Sequence, residues 1–412
     1  MSMTHSSYYR PRIFSITGDV SDAEIDRAQS IDPTATLNRE KVEEIGRDGA
    51  VGHIKRSPTI SYRLTQYEYG NIEFWQKLVN SDVKGNIGED AITLSDFKTP
   101  YFDICAYLTN DNGDFVGTVL YPSMRTSGFS ITIGEPQAMI ERGFDFVGES
   151  AITWQGDNKY YICNRHECGS GEDNEIDLSA KAPAEDPDNT GVYMFRVVRV
   201  RSGSSEELDS SEYSYDNGTK ILTINSVVAG DVIKSYYTSA TAPDVQFSLN
   251  DTDPECLIGD SCSIYLYIPG SGKPSSSDYL YKLQSISLDV RFDREDLREI
   301  GNKDVVQRGV RNSTVTVTLG RILEDFTIEE VLTGQVSGYG KLDVEKFTDE
   351  ATLIVKFFDD NTKTTFTYGI KATGLTPTET RLGAGVNEYV KPDASMECEN
   401  LSITKDTTVL GI

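Results

Sequence analysis

Histidine, tryptophan and cysteine are scarce in this chain, and long apolar runs are missing altogether. Its 412 residues include 3 His, 2 Trp and 6 Cys. His5, His53 and His166 are scattered, and none stands beside a Ser or Cys in a nucleophile-elbow context. Acidic residues are too common for any carboxylate pair to signal catalysis, and the glycine-rich stretch 334–340 lacks the Lys-Ser/Thr and strand–helix frame of a phosphate loop. No enzymatic activity is expected, and no cofactor. No run of 18 or more apolar residues exists, so no helical membrane span is expected. The polar start, residues 1–10, has no apolar core of a signal peptide, which implies cytoplasmic synthesis. Basic residues are also in the minority: 39 against 65 acidic ones, a formal charge of −26. That excess disfavours tight non-specific binding to nucleic acid or to an anionic membrane.

The sparse cysteines read as free thiols. Cys163, His166 and Cys168 form the most metal-like cluster, which Cys256 and Cys262 would complete as a four-thiolate zinc site. Their spacing matches no standard knuckle, so no metal is expected.

What the chain does have is Tyr, Thr, Val and Gly in strand-and-turn patterns, and a repeat of itself. Gln29-Ser30-Ile31 followed by Arg39-Glu40-Lys41-Val42-Glu43-Glu44-Ile45-Gly46 recurs 255 residues later. There it reads Gln284-Ser285-Ile286, then Arg294-Glu295-Asp296-Leu297-Arg298-Glu299-Ile300-Gly301. From 29 to 46, eight of eighteen positions are identical without a gap. Ordinary residue usage would match about one. The same register carries Ile60, Tyr62 and Leu64 onto Val315, Val317 and Leu319. The chain is thus read as a duplication: copy 1 over 1–155, an acidic loop or linker over 156–190, a small inserted β module over 191–243, and copy 2 over 244–412.

Each copy is expected to be a β-barrel or β-sandwich with one short flanking helix. In copy 1, strands are predicted over 7–17, 31–37, 59–65, 101–108, 116–121 and 128–133, with a helix over 71–79 and a closing segment over 144–154. Asn38 is read as capping a helical turn that stops at Gly46, with 46–58 a long loop. In copy 2, Phe326, Ile328, Val331 and Leu332 supply the helix stripe, strands cover 352–358 and 364–370, and 301–313 is a protruding loop. The helix is too short to stand alone and must pack on a sheet. The inserted unit is predicted to hold strands over 192–200, 220–225 and 232–237, with a turn over 213–218. Its core is marginal, so it is expected to lean on its neighbours.

The charged turn is the best-retained part of the repeat. A core constrains apolar type and volume, not charge, so Arg39, Glu40, Glu44 and Gly46, with Arg294, Glu295, Glu299 and Gly301, are read as an inter-subunit contact that each copy makes in the same way. A fused duplicate that keeps such a contact can replace two subunits of a ring, so three chains would close six sectors.

With these two segments, each followed by an alternating strand, a short helix and a closing hairpin, the chain resembles the tail tube proteins of long-tailed phages whose chain fuses two tube domains. The Gly230-Asp231-Val232-Ile233 strand entry is similar to β modules common in virion proteins. The resemblance implies homotrimeric, pseudo-hexameric rings stacked into a hollow tube for DNA ejection, in a virion tail made in the host cytoplasm. Its implied partners are further copies, the tape-measure protein and DNA in the lumen without specific binding, and the terminator and distal tail proteins. The lumen-facing candidates are Thr59, Ser61 and Thr65, with Thr314, Thr316 and Thr318 in the copy. Short neutral side chains there would not trap phosphate, and Arg63 on the same face requires a carboxylate neighbour. A single-ring terminator or distal tail protein, or a multi-domain β adhesin for carbohydrate, are the alternative readings.

Overall fold

The computed structural model describes residues 8–16, 23–25, 27–37, 39–43, 50–55, 59–109, 115–148, 153–155, 159–169, 174–186, 189–202, 204–241, 256–268, 283–297, 307–321, 351–360, 362–383 and 391–411. The fold is mainly β, with multiple antiparallel sheets. Copy 1 contains β1 (Tyr8–Ser15), β2 (Ala23–Glu24), β3 (Ala28–Thr36), β4 (Arg39–Glu43), β5 (Ala50–Lys55) and β6 (Thr59–Tyr67). After helix α1 (Glu73–Leu78) come β7 (Ile92–Thr93), β8 (Phe102–Thr109), β9 (Phe115–Ile133), β10 (Glu141–Gly148) and β11 (Thr153–Gln155). The inserted module holds β12 (Tyr160–Glu167), β13 (Glu175–Asp177), β14 (Arg196–Arg201), β15 (Ser204–Glu207), β16 (Tyr213–Asp216), β17 (Ile221–Ile224) and β18 (Val232–Ser239). Copy 2 has β19 (Cys262–Tyr267), β20 (Leu283–Leu297), β21 (Gln307–Arg321), β22 (Ala351–Phe358), β23 (Phe366–Gly383), β24 (Lys391–Cys398) and β25 (Asn400–Thr404), then α2 (Thr407–Leu410).

The repeated segments pair at matching ladder positions. β3 pairs with β6 through Ile31 and Leu64, and β20 pairs with β21 through Ile286 and Leu319, the same positions of the repeat. Gln29 and Gln284 occupy the β-bulge that opens each of these ladders, between Ala28 and Ser30 and between Leu283 and Ser285. A bulge bends its strand and fixes its register, which gives the repeated Gln-Ser-Ile a structural role. β19 takes the place of β1: Ile13 lies opposite Ile104 and Leu266 opposite Leu353.

β9 and β23 each run through two sheets. The predicted strands over 116–121 and 128–133 are one continuous strand, because Pro122-Ser123 forms a corner and not a break. Ser123 takes a left-handed φ of 53°, and Gly374, at the equivalent corner of β23, takes 69°. Before the corner β9 pairs with β8; after it, with β10. The apolar core lies between the two layers, with Trp75, Phe97, Phe129 and Phe144 in edge-on and tilted ring contacts beneath α1. The short helix is held by burial of Ile72, Trp75 and Leu78, all at 0% exposure.

Four expectations are corrected. Residues 39–43 are a strand, not a helical turn: β4 pairs with β5, and part of the predicted 46–58 loop is therefore β structure. The same hairpin continues β20 and β21 in copy 2, where Arg294 faces Val310, so 307–313 is strand as well. The predicted 156–190 linker contains β12, which pairs along its length with β18. Its acidic surroundings masked the apolar Tyr160-Tyr161-Ile162 run. The module thus begins before residue 191, as two sheets, β12-β18-β14-β15 and β13-β17-β16. The helix stripe at Phe326, Ile328, Val331 and Leu332 lies outside the described residues.

Candidate assembly interface

The two copies meet edge to edge in one sheet. Its order is β23-β24-β21-β20-β9-β10-β6-β3, so β20 of copy 2 hydrogen-bonds to β9 of copy 1. The register sets Ile286 opposite Ile133, Leu288 opposite Ile131 and Val290 opposite Phe129. All six side chains are buried. Phe292 continues the apolar row and stacks on Phe97, ring centroids 5.9 Å apart.

Arg294 closes the joint. Its Nε donates to the Thr126 carbonyl at 2.6 Å, Nη2 to Phe97 at 2.9 Å and Nη1 to Lys98 at 3.2 Å. A guanidinium suits three carbonyls, since its donors form a rigid planar fork. A second tie is fully buried. Glu68 Oε2 lies 3.1 Å from Arg142 Nη1 and accepts from the Tyr368 hydroxyl at 2.6 Å, while Oε1 takes the Gly70 amide at 2.8 Å. Glu68 and Arg142 belong to copy 1 and Tyr368 to copy 2. Burial, then the nearby Glu68 charge, raises the Tyr368 hydroxyl well above its ordinary pKa, so it stays a donor. Arg142 also lies 5.0 Å from the Tyr69 ring centroid and 5.9 Å from that of Trp75.

Among the described residues β3 and the second half of β23 each pair on one side only, and they are the two unlike edges of this layer. β3 occupies in copy 1 the place of β20, but its residues differ in exposure: Leu37 is 65% exposed where Phe292 is 4%. Pro33 stands opposite Tyr62 within β3, an edge strand being where a proline is tolerated.

One face of this sheet is mostly polar, with half-buried Val147 opposite Ser61 as an apolar exception. Thr59, Ser61 and Arg63 are exposed and Thr65 half-buried, alternating with buried Ile60, Tyr62 and Leu64. Thr314 is exposed and Thr316 and Thr318 half-buried on the corresponding face of β21. Arg63 does have its carboxylate: Asp145 stands across the ladder, 3.8 Å away. Arg291 pairs likewise with Asp289 at 2.9 Å. Asp32, Glu141, Glu379, Asp393 and Glu397 share this side of the sheet. The structure therefore gathers the six predicted Thr and Ser positions on one acidic, hydroxyl-rich surface.

The predicted contact residues fall differently. Arg39 and Glu40 are exposed on β4, Arg294 is half-buried in the joint and Glu295 is exposed beside it. Glu44, Gly46, Glu299 and Gly301 lie outside the described residues. Sequence reading missed Glu68, Arg142 and Tyr368, because single charged or phenolic residues in or just beyond strands carry no pattern.

The module packs on the opposite side of copy 1. Phe14, Cys105, Tyr107 and Leu120 are buried against Tyr161, Val198, Val232 and Tyr236. Beneath them Asp103 accepts from the Tyr161 hydroxyl and from the Ser123 amide at 2.8 Å, with Arg196 Nη2 at 3.7 Å. Burial, followed by the Asp103 charge, holds the Tyr161 pKa well above normal. Copy 2 has Lys356 and Lys371 where copy 1 has Tyr107 and Leu120, as the ladder registers show. That replacement removes the apolar seat for a second module.

Among the described residues no two cysteines form a disulfide, and no group of three or more His, Cys, Asp and Glu is arranged to hold a metal. Cys163 and His166, three apart on β12, point to opposite faces. Among the described residues no helix is long and apolar enough to cross a membrane.

No family model and no curated protein matches the chain. Among solved structures, a chain of the anti-feeding prophage baseplate is similar over 34% of this chain and 91% of its own length, at 11% identity and TM-score 0.25. A chain of the sheath–tube complex of an extracellular contractile injection system is similar over 34% and 87%, again at 11% identity and TM-score 0.25.

Proposed function

We propose that this chain is a structural subunit of a phage-type tail, a double tube domain that assembles three to a ring. The β20–β9 joint carries the reading. It is a head-to-tail contact, β20 (the counterpart of β3) of one copy on β9 (the counterpart of β23) of the other, and it leaves β3 and β23 as unlike edges. Heterologous contacts of this kind either close into rings or run on as filaments. Repeating the internal joint between chains would close six sectors from three chains, and β edges that are hazards on a monomer become seams. The hydroxyl-rich acidic face then lines the lumen, where DNA and a tape-measure protein pass without specific binding. The module lies on the opposite surface, one for every two sectors, and gives the outside three-fold symmetry. Stacked rings would adjoin terminator and distal tail proteins in a virion assembled from subunits made in the host cytoplasm. The role requires no catalysis, metal or cofactor. Negative-stain electron microscopy of the purified protein tests it: stacked rings or tubes are expected. Single rings that never extend would favour a terminator or distal tail role, and monomers at high concentration would overturn the reading.

A further inference from the structure

The chain contains its joint twice, once made and once open. Arg294 makes the closed version, donating to the carbonyl of Thr126 just before the bulge that separates Asp145 from Phe146 in the β9–β10 ladder. The β23–β24 ladder has the same bulge, between Pro377 and Glu379, and there Pro377 occupies the position of Thr126. On the other side of the joint, Arg39 occupies the position of Arg294: Arg39 faces Lys55, and Arg294 faces Val310, 255 residues on in both strands. Arg39 is exposed, as is Leu37 at the position of the buried Phe292.

We infer that Arg39 of one chain donates to the Pro377 carbonyl of a second copy, at the end of a β3–β23 ladder in which Thr36 faces Glu379 and Ala35 faces Thr380. The register follows from the closed joint, where Arg291 faces Gly128 and Val290 faces Phe129. Transfer through the repeat puts Thr36 and Ala35 in place of Arg291 and Val290. Transfer through the two bulged ladders puts Glu379 and Thr380 in place of Gly128 and Phe129. The occupant is a second copy because the edge and its complement are already joined once within the chain. Lysine would serve poorly, since its single ammonium cannot reproduce the planar fork that Arg294 uses. The contact rests on the ring reading and specifies the residues that make its seam.

The test compares wild type with Arg39→Lys and Arg39→Ala by light scattering over a dilution series, with far-ultraviolet circular dichroism as the control for folding. Arg39→Ala is expected to raise the concentration needed for assembly at least tenfold with an unchanged spectrum, and Arg39→Lys to fall between. A second arm oxidises Thr36→Cys combined with Glu379→Cys, with Ala35→Cys/Glu379→Cys as the register-shifted control and wild type as background. Covalent chain-to-chain ladders are expected for the first pair alone. Wild type that assembles while Arg39→Ala assembles equally well, or ladders absent or equal in both pairs, overturns the contact and leaves the ring standing. Wild type that stays monomeric overturns the ring itself.

Discussion

Glu68 and Arg142 are both fully buried, a placement that costs desolvation on both sides and is offset by their mutual pairing and the hydrogen bonds to Glu68, with Arg142 Nε left without a partner among the described residues. Removing one partner is therefore far worse than trimming the network. Arg142→Ala is expected to cost about 3–5 kcal/mol, and Tyr368→Phe, which removes a hydrogen bond to a charged group, about 1.5–3 kcal/mol, both read by urea unfolding of the whole chain. If Arg142→Ala costs no more than a surface change, the tie between the copies is not structural. In the module, Asp231 accepts from Arg201 at 2.8 and 2.6 Å and from the Val228 amide at 2.9 Å. The hydrogen bond from Arg201 comes first in lowering its pKa. A carboxyl lowered by folding stabilises above its unfolded pKa and loses that contribution as pH falls through the folded one. Asp231→Asn should therefore lower the melting temperature of the protein at pH 7, with the difference from wild type shrinking in strong acid. A difference that stays constant with pH would show that the charge is not what matters.

Among the elements, β9 and β23 shape each copy by leaving one sheet and entering the other at Ser123 and Gly374. At Gly374 an added Cβ would lie 2.7 Å from Glu399 Cγ, on a backbone with φ 69°. Gly374→Val should thus destabilise copy 2 by about 1–2 kcal/mol from the backbone alone, measurable by thermal melting; an unchanged melt would mean that the corner is not under constraint. The alternating strands were legible because Ile60, Tyr62 and Leu64 bury one face of a period-two pattern. The helix around Trp75 was legible for the same reason at a period of 3.6. The hairpin of β4 and β5 was not: Arg39 to Glu43 is charged and helix-permissive, and only its partner strand across the turn makes it β. Nor was the joint itself. The retained Arg294 signalled a contact, but pairing β20 with β9 is a long-range choice that no local pattern encodes.

At the scale of the whole molecule, the polar face and the module lie on opposite sides of copy 1, with the apolar core between. If that face lines a lumen, its acidity keeps DNA moving, and charge reversal should trap it. Asp145→Lys leaves Arg63 without its partner and, repeated around a ring, is expected to convert assemblies that ignore DNA into salt-sensitive binders in a filter assay. Binding that stays absent at low salt would place the face elsewhere. The central claim is head-to-tail closure of the β3 and β23 edges, and the most direct test is the stoichiometry of the smallest closed assembly by native mass spectrometry. Three chains per ring is the predicted result. A dimer as the smallest closed assembly, which an isologous two-fold contact would produce, would contradict it.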